Sequence, residues 1–384
     1  MSGKHGSEEG SAGKRRSLSD FYLLEGAGLN VQLVNSRQSR QLAGRPKTDR
    51  LDAQWIARLA EMGLLRPSFV PPPEIRALRD LTRTRLQLVR DRTREWQRLE
   101  KLLEGAAVKL SSAVHSLAKT VTARVILQAL AAGERDPLAL AGLADPRVRG
   151  GRAAIAEALE GMTVDGHHRM LIRVHLDHIA FPDRSAAAVE DEIQAALDAI
   201  PAARGVSADG IRCAGPGPDA AVLPAAERLA EIPGVSLDLA RAIIAETGLD
   251  MARFPAAAHL VSWAGLSPVT RQSGPRSRKP QKGQGNDYLK GYCTQAATGA
   301  ARTDTFLGER IRRLSRRLGP NKAKCAVARS ILVIAWHLLA SPEARFTDLG
   351  SSWHERKTSR DRKIRTHVRQ LEALGLNVTI TPAA

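Results

Sequence analysis

One stretch of the sequence, from Glu74 to Glu104, contains neither proline nor glycine and constrains the fold more than any other feature. Apolar residues recur along it near heptad spacing, which is typical of a helix with a packing seam. Polar residues interrupt the seam at Thr82, Arg85 and Arg92, so the predicted coiled-coil face is only partial. The helix is either a solvated packing helix or a basic rod that lies along phosphates or pairs with a second subunit. The apolar positions are Ile75, Leu78, Val89, Trp96, Leu99 and Leu103.

A second long helix is predicted to pair with the first as a helical hairpin. It runs from about Asp165 to Phe181, breaks at Pro182 because proline interrupts a helix, and resumes to Ile200. Histidines cluster on it without a cysteine or a clear acidic partner in the sequence. We therefore expect a solvated or packing face there, with metal binding as the alternative. These histidines are His167, His168, His175 and His178.

The segment before the long helix has the pattern of an α/β domain. Residues 19–27 are expected to form a helix that ends at Gly28, and Leu29–Asn35 alternates apolar and polar residues as strands do. A polar loop leads to a second helix with Thr48 as its N-cap. One strand is not a sheet, so the domain is expected to be incomplete at its N-terminal edge. The predicted core face of the second helix is Leu51, Trp55, Ile56, Leu59, Leu64 and Leu65.

The predicted fold class is mainly α, with a partial α/β domain, a long helical coiled-coil region and a helical C-terminal domain. A strand-like end is expected at Asn377–Thr381, after a basic helix from Glu355 to Leu374. The expected boundaries are a disordered basic leader at 1–18, the α/β domain at 19–70, the coiled-coil region at 71–200, a linker at 201–224, the C-terminal domain at 225–349 and a basic tail at 350–384.

Positive charge limits the class of partner. The formal net charge is +18 at pH 7, which indicates a polyanion such as nucleic acid. Aromatic residues make up 4% of the chain, too few for extended base stacking, so phosphate contacts should dominate. The candidate phosphate-binding residues are Arg271, Arg276, Arg278, Lys279, Arg312, Arg313, Arg316 and Arg317.

The sequence favours the cytoplasm and gives no sign of a membrane. The polar N-terminus lacks the apolar region of a signal peptide. The most apolar stretch, Ala326–Ala340, is short and holds Arg329 and His337, so we expect a buried helix. Three scattered cysteines, Cys213, Cys293 and Cys325, give neither a metal site nor a disulfide framework, and they fit a reducing compartment.

Three short motifs are candidates for chemistry. Asp49 and Asp52 lie at i and i+3 and can share one Mg²⁺, although acids at a helix start also simply complement the helix dipole. Leu229–Gly248 is predicted to form two helices around a glycine turn at Gly234, whose N–H groups could take a phosphate, or else an ordinary helical corner. Ser273, followed by glycine and surrounded by cations, is either a nucleophile at phosphorus or a turn residue.

Taken together and in order, these segments resemble the IS110 family of DEDD-type insertion-sequence transposases. Each fragment alone is weak, but their order and spacing are specific, and they span roughly residues 20–380. The fragments that carry the resemblance are Lys47–Ala53, Leu64–Pro72, Ile232–Val235, Arg253–Pro268, Ser273-Gly274 and Ser330–Ala335.

The resemblance implies a RuvC-like domain whose acids bind Mg²⁺, a coiled-coil region, and a C-terminal transposase domain with a nucleophilic serine. Carried onto this chain, Asp49 and Asp52 match the last two of four acids, and Ser273 matches the serine. Asp20 and Glu25 lie in the wrong places for the first two acids. The RuvC-like domain is therefore expected to be shortened at its N-terminus.

The same resemblance implies a DNA recombinase in the bacterial cytoplasm, near the nucleoid. Its implied partners are double-stranded DNA, a dimer or tetramer of this chain and, as in some members, a structured non-coding guide RNA. Two other functions stay open. One is a non-catalytic nucleic-acid-binding protein that uses only the glycine turn and the basic helices. The other is a Holliday-junction nuclease that cuts with metal-activated water.

Overall fold

The computed structural model describes residues 18–34, 48–65, 67–148, 150–205, 222–273, 276–281, 285–357 and 360–380. The chain divides into two compact units, Met1–Pro72 and Pro73–Ala384. The described residues are mainly helical, as predicted. Residues 1–17 of the predicted basic leader (1–18) and residues 206–221 of the predicted linker (201–224), with Cys213, lie outside them.

In the first unit, residues 18–26 form helix α1, and the predicted glycine ends it. Gly28 has a φ of +79°, and its N–H donates to the Glu25 carbonyl at 2.9 Å. Helix α2 spans Asp49–Glu61 and follows Thr48, whose side chain makes no capping hydrogen bond. The predicted core face of α2 is mostly wrong, because no strand among this unit's described residues covers it. Leu59 is buried and Trp55 and Leu65 are half-buried, whereas Leu51, Ile56 and Leu64 are exposed.

The strand predicted at Leu29–Asn35 is wrong over its described residues, 29–34. A single antiparallel bridge joins Val34 to Pro67, and the Ser68 N–H donates to the Leu33 carbonyl at 2.6 Å. Proline offers no N–H to continue such a ladder. The strand-like end predicted at Asn377–Thr381 is likewise not a strand over 377–380. Alternation alone does not make a strand, because a strand needs a partner of several residues.

Two long helices pack side by side in the second unit, as predicted. Helix α3 spans Pro73–Gly105, and α8, at Gly166–Asp198, packs along it. The predicted break at Pro182 is wrong, because α8 continues through that buried proline. Tertiary contacts hold the helix there: Asp183 accepts a hydrogen bond from Arg92 of α3 at 2.7 Å.

One end of this helical pair carries a core of its own. Trp96, Leu99 and Leu103 of α3 meet Ile172 and Ile179 of α8, and short helices close over them. Those helices are α4 at Leu110–Ala113, α5 at Val121–Ala132, α6 at Pro137–Gly142 and α7 at Gly151–Leu159.

The other end of the pair contacts the helical C-terminal region. Its elements are α9 at Ala225–Ala230, α10 at Leu237–Thr247, α11 at Ala257–Trp263, β1 at Val269–Ser273, β2 at Arg276–Gln281, α12 at Asp287–Ala300, α13 at Phe306–Leu318 and α14 at Pro320–Ala340. The tail forms α15 at Trp353–Lys357 and α16 at Arg360–Glu372.

Helix α14 lies at the centre of this region and packs against α9, α11, α12 and α13. Length and composition alone would let it cross a membrane, as no other helix of the described ranges could. However, Ile331, Leu332 and Ala335 are buried against its neighbours, in agreement with the predicted buried helix.

Candidate functional site

The candidate nucleophile, Ser273, lies at the tip of a β-hairpin that the sequence did not predict. Strands β1 and β2 pair antiparallel, and Ser273 pairs with Arg276 next to the turn. The next pairs back from the turn are Gln272 with Ser277 and Arg271 with Arg278. Paired residues share a face, and faces alternate along a strand. By this register, Ser273 lies at a position on the same face of the hairpin as Arg271, Arg276 and Arg278. Ser277 lies at a position on the opposite face.

The base of this hairpin is closed by a close contact between two glycines. A Cβ added to Gly285 would lie 2.7 Å from the Ala264 carbonyl oxygen and closer still to the nitrogen of Gly265. Lys290 adds a hydrogen bond from its Nζ to the Gly265 carbonyl at 3.2 Å. The segments before and after the hairpin are thus held against each other.

A buried carboxylate lies beside that base. Glu246 of α10 is fully buried, and its Oε1 and Oε2 accept hydrogen bonds from Arg83 of α3 at 2.7 and 2.8 Å. The amide of Asn286 donates to Glu246 Oε2 at 2.6 Å. Burial alone would lower the pKa of Arg83, but the hydrogen bond and the negative charge of Glu246, with the nearby tyrosines, together outweigh it, and the pKa lies above its usual value.

Aromatic groups surround this ion pair. The guanidinium of Arg83 lies 4.3 Å from the ring centre of Tyr288, a cation–π distance. Burial, with a smaller contribution from Glu246, raises the pKa of Tyr292 to about 12. Sequence reasoning missed the whole group. The one local signal was an acidic residue, Glu246, among the apolar residues of α10.

The predicted helix–turn–helix at Leu229–Gly248 is present as α9, a turn and α10. Its glycine is packed against α12: Gly234 has a φ of +86°, and an added Cβ would lie 3.0 Å from Ala300 Cα and closer to the Ala296 carbonyl oxygen. This packing by itself accounts for a glycine at that position. Phosphate binding by Gly234 stays a prediction.

The two candidate metal ligands lie in the first turn of α2. Asp49 is exposed and Asp52 is half-buried. Carboxylate oxygens suit Mg²⁺, which proteins often hold through one or two carboxylates plus the substrate's phosphates. The two carboxylates are therefore suitable ligands for Mg²⁺. Acidic residues at this position would also stabilise the start of α2 without any ion.

The arginines of α13 differ in their surroundings. Arg312 donates to the carbonyls of Ala301 and Thr303 at 3.3 and 3.0 Å, and Arg313 donates to Glu309 at 3.2 Å. The predicted phosphate ligands Arg316 and Arg317 are exposed in the last turn. Of the four predicted phosphate ligands on α13, Arg316 and Arg317 are therefore the most accessible to a polyanion.

A fifth arginine of α13, Arg310, lies one turn before Arg313 and is not among the candidates that the sequence indicated. Arg310 is half-buried, and its Nε has no hydrogen-bond partner in the described part of the chain. Burial, followed by repulsion from Arg313, lowers its pKa. A bound anion would offset both the burial of the Arg310 charge and its repulsion by Arg313.

The histidines of α8 have acidic partners that the sequence did not reveal. His175 and His178 approach Glu95 of α3 through their Nδ1 atoms, at 2.7 and 3.4 Å. Their place on a packed face agrees with the predicted packing role. His167 and His168 approach Asp165 at 2.7 and 2.8 Å, and these three are the one group of described residues whose ligand atoms lie close enough to hold a metal ion. Asp165 already caps the start of α8, so capping explains the cluster.

Two family models match the chain. One, for the DEDD transposase of IS110 and described as a transposase, matches residues 10–107. The other, described as transposase IS116/IS110/IS902 family, matches residues 226–311. The first match covers α2 with both candidate acids, and the second covers the glycine turn and the serine hairpin. A comparison with curated proteins found no match.

Proposed function

Because this chain belongs to the IS110 family of insertion-sequence transposases, we propose that it cuts and rejoins double-stranded DNA with Ser273 as the nucleophile. One observation supports this proposal most. The serine occupies the last paired position before a hairpin turn, in register with three arginines on the same face. A phosphodiester that reaches this tip would meet a hydroxyl and a concentration of positive charge together.

The reaction at phosphorus is a balanced exchange of esters. The Oγ of Ser273 forms a bond to phosphorus and loses its proton, while the bridging bond from phosphorus to a deoxyribose oxygen breaks. The released sugar hydroxyl takes up a proton. Rejoining reverses the step when another sugar hydroxyl attacks the serine phosphodiester. Arg271, Arg276 and Arg278 would stabilise the charge that develops on the phosphoryl oxygens.

Asp49 and Asp52 would hold Mg²⁺ in this function. The ion, when bound, would supply Lewis acidity at a phosphoryl oxygen. The chain's own contribution is two carboxylates set one helical turn apart in a rigid helix, which keeps both oxygens on one side. A RuvC-like domain, a guide RNA and a dimer or tetramer belong to the same proposal, and the resemblance to the family supports them.

Cationic side chains would bind the DNA. Lys279, Arg316 and Arg317 would contact phosphates, whereas Arg312 and Arg313 already donate to Thr303 and Glu309 and so have fewer donors left for DNA. Phosphate contacts of this kind make binding fall steeply with salt. This charge does not depend on the serine, so binding should survive the loss of catalysis.

The test is Ser273→Ala, with Ser277→Ala as its matched control. Both remove a hydroxyl from the same hairpin, but Ser277 occupies the opposite face by register. The substrate is DNA that carries an element end, with RNA transcribed from its flank, and a denaturing gel detects DNA covalently attached to protein. We expect the adduct to vanish in Ser273→Ala and to persist in Ser277→Ala, with DNA affinity unchanged in both.

The metal is tested by Asp49→Asn, with Glu61→Gln at the far end of α2 as control. Adduct formation that needs added Mg²⁺ should be lost only in Asp49→Asn. Cleavage that persists in Ser273→Ala but needs Asp49 would favour the junction nuclease. Salt-sensitive DNA binding with no adduct and no cleavage in the unmodified chain would favour a protein that only binds nucleic acid.

A further inference from the structure

We propose that Glu246, acting through Asn286, fixes the serine hairpin relative to the long helix α3 and is a positioning residue for strand cleavage. This inference rests on the proposed function of Ser273. Glu246 does not itself touch DNA in this proposal, because it is fully buried. Its effect passes through Arg83 and Asn286, which hydrogen-bond to it, and Arg79 is a further ion-pair partner, with its Nε 3.4 Å from Oε2.

The first step is the way Glu246 shares its oxygens. Arg83 takes both of them, and Asn286 donates to Oε2 as well. Bidentate pairing of an arginine with a carboxylate fixes the orientation of both groups. Loss of Arg83 would leave the buried charge of Glu246 with Arg79 alone, at 3.4 Å, whereas loss of the Asn286 amide would remove one neutral donor and leave both arginines in place. Glu246 therefore joins α3 to the start of α12.

The second step is the double role of Asn286. Its Oδ1 accepts hydrogen bonds from the backbone N–H groups of Tyr288 and Leu289, at 3.0 and 3.1 Å, and so caps α12. Its Nδ2 then donates to Glu246. An aspartate can cap a helix but has no hydrogen to donate to the carboxylate, and a serine has a single hydroxyl, closer to the backbone, for both bonds. Asparagine meets the two partners with two separate atoms, Oδ1 and Nδ2.

The third step connects Asn286 to the serine. Gly285, the residue before it, lies against Gly265, so the hairpin is closed at the position that Asn286 occupies. Strand β1 begins four residues after Gly265 and ends at Ser273, and its five residues span roughly 17 Å. A tilt of about 5° at the base would then move the tip by roughly 1.5 Å. A displacement of about 1 Å at a reacting group can cost roughly 100-fold in rate.

The test is Asn286→Ser, which keeps a cap and removes the donor to Glu246. The matched control is Asp250→Ser, because Asp250 caps the turn at Met251–Arg253 through the Ala252 N–H and has no bond to Glu246. We expect the rate of adduct formation to fall by roughly tenfold to a hundredfold in Asn286→Ser, with DNA affinity and melting temperature close to those of the control. Hydrogen exchange should quicken in peptides covering residues 269–281.

A rescue separates positioning from a general loss of structure. Asn286→Asp alone places two carboxylates together, and adding Glu246→Gln restores one donor and one acceptor between the two positions. The double variant should form adduct faster than Asn286→Asp alone. Unchanged hairpin exchange in Asn286→Ser, or no recovery in the double variant, would overturn the proposal.

Failure of the proposed function gives a different result. Hydrogen exchange does not depend on the chemistry at phosphorus. Adducts that persist in Ser273→Ala, together with quickened hairpin exchange in Asn286→Ser, would refute the serine as nucleophile and leave the link between Glu246 and the hairpin intact.

Discussion

Replacing Gly234 by alanine tests whether the turn between α9 and α10 requires glycine because it packs against α12. At a φ of +86°, an alanine costs about 1–2 kcal/mol in backbone strain. The added methyl also meets the backbone of α12 at Ala296 and Ala300, which cannot move aside as a side chain can. Overpacking of this kind costs about 1–3 kcal/mol more. We therefore expect about 2–5 kcal/mol of lost stability.

Gly319→Ala supplies the matched control, because Gly319 has a φ of +80° and an added Cβ there would meet nothing within 4 Å. It should show only backbone strain, about 1–3 kcal/mol, because its ψ of 159° lies in a region that is essentially limited to glycine. Guanidinium denaturation followed by circular dichroism gives both free energies. The packing argument fails if the two alanines cost the same. If Gly234→Ala stays stable and DNA binding is lost, the turn serves phosphate instead.

Two further predictions follow from buried groups. Burial would raise the pKa of Glu95, but hydrogen bonds from His175 and Arg98 outweigh it, and the pKa lies below the usual 4.5. The stabilisation from Glu95 is thus full above about pH 4.5 and is lost as the pH falls through the lower, folded-state pKa. Glu95→Gln should cost about 1–2 kcal/mol at pH 7 and less at pH 3, as denaturation midpoints would show; an equal cost at both pH values would contradict the assignment. Burial also raises the pKa of Cys293 to about 12, while Cys325 is exposed. Maleimide should label Cys325 in the native protein and Cys293 only after unfolding, as peptide mass spectrometry would reveal; native labelling of Cys293 would show that its core opens.

The sequence predicts the long helices well, because helix formation over Glu74–Glu104 is a local property of residues without proline or glycine. It fails where the outcome depends on distant partners. Pro182 does not break α8, since contacts from Arg92 hold the following turn. The alternation at Leu29–Asn35 finds only a single bridge.

In the candidate site, too, local features could be predicted from the sequence and long-range contacts could not. Ser273 was selected from its neighbours in sequence, but its place in a hairpin was not, because pairing of Arg271 with Arg278 requires the chain to turn back. Arg83 and Glu246 are 163 positions apart, and the apolar neighbours of Glu246 in α10 indicate a buried acid without indicating which residue pairs with it. Pairings over such separations follow from the assembled fold.

The pairing of α3 with α8 also has a mechanical consequence. From Ile75 to Leu103, α3 covers about 40 Å at 1.5 Å per residue, and each end is fixed to a different core. Such a pair behaves as a stiff lever. A rotation of about 5° about Arg83, where Glu246 holds the helix, would carry Leu103, about 30 Å away, through roughly 2.6 Å. A force on the core around Leu103 would therefore produce a torque at Arg83, beside the base of the serine hairpin.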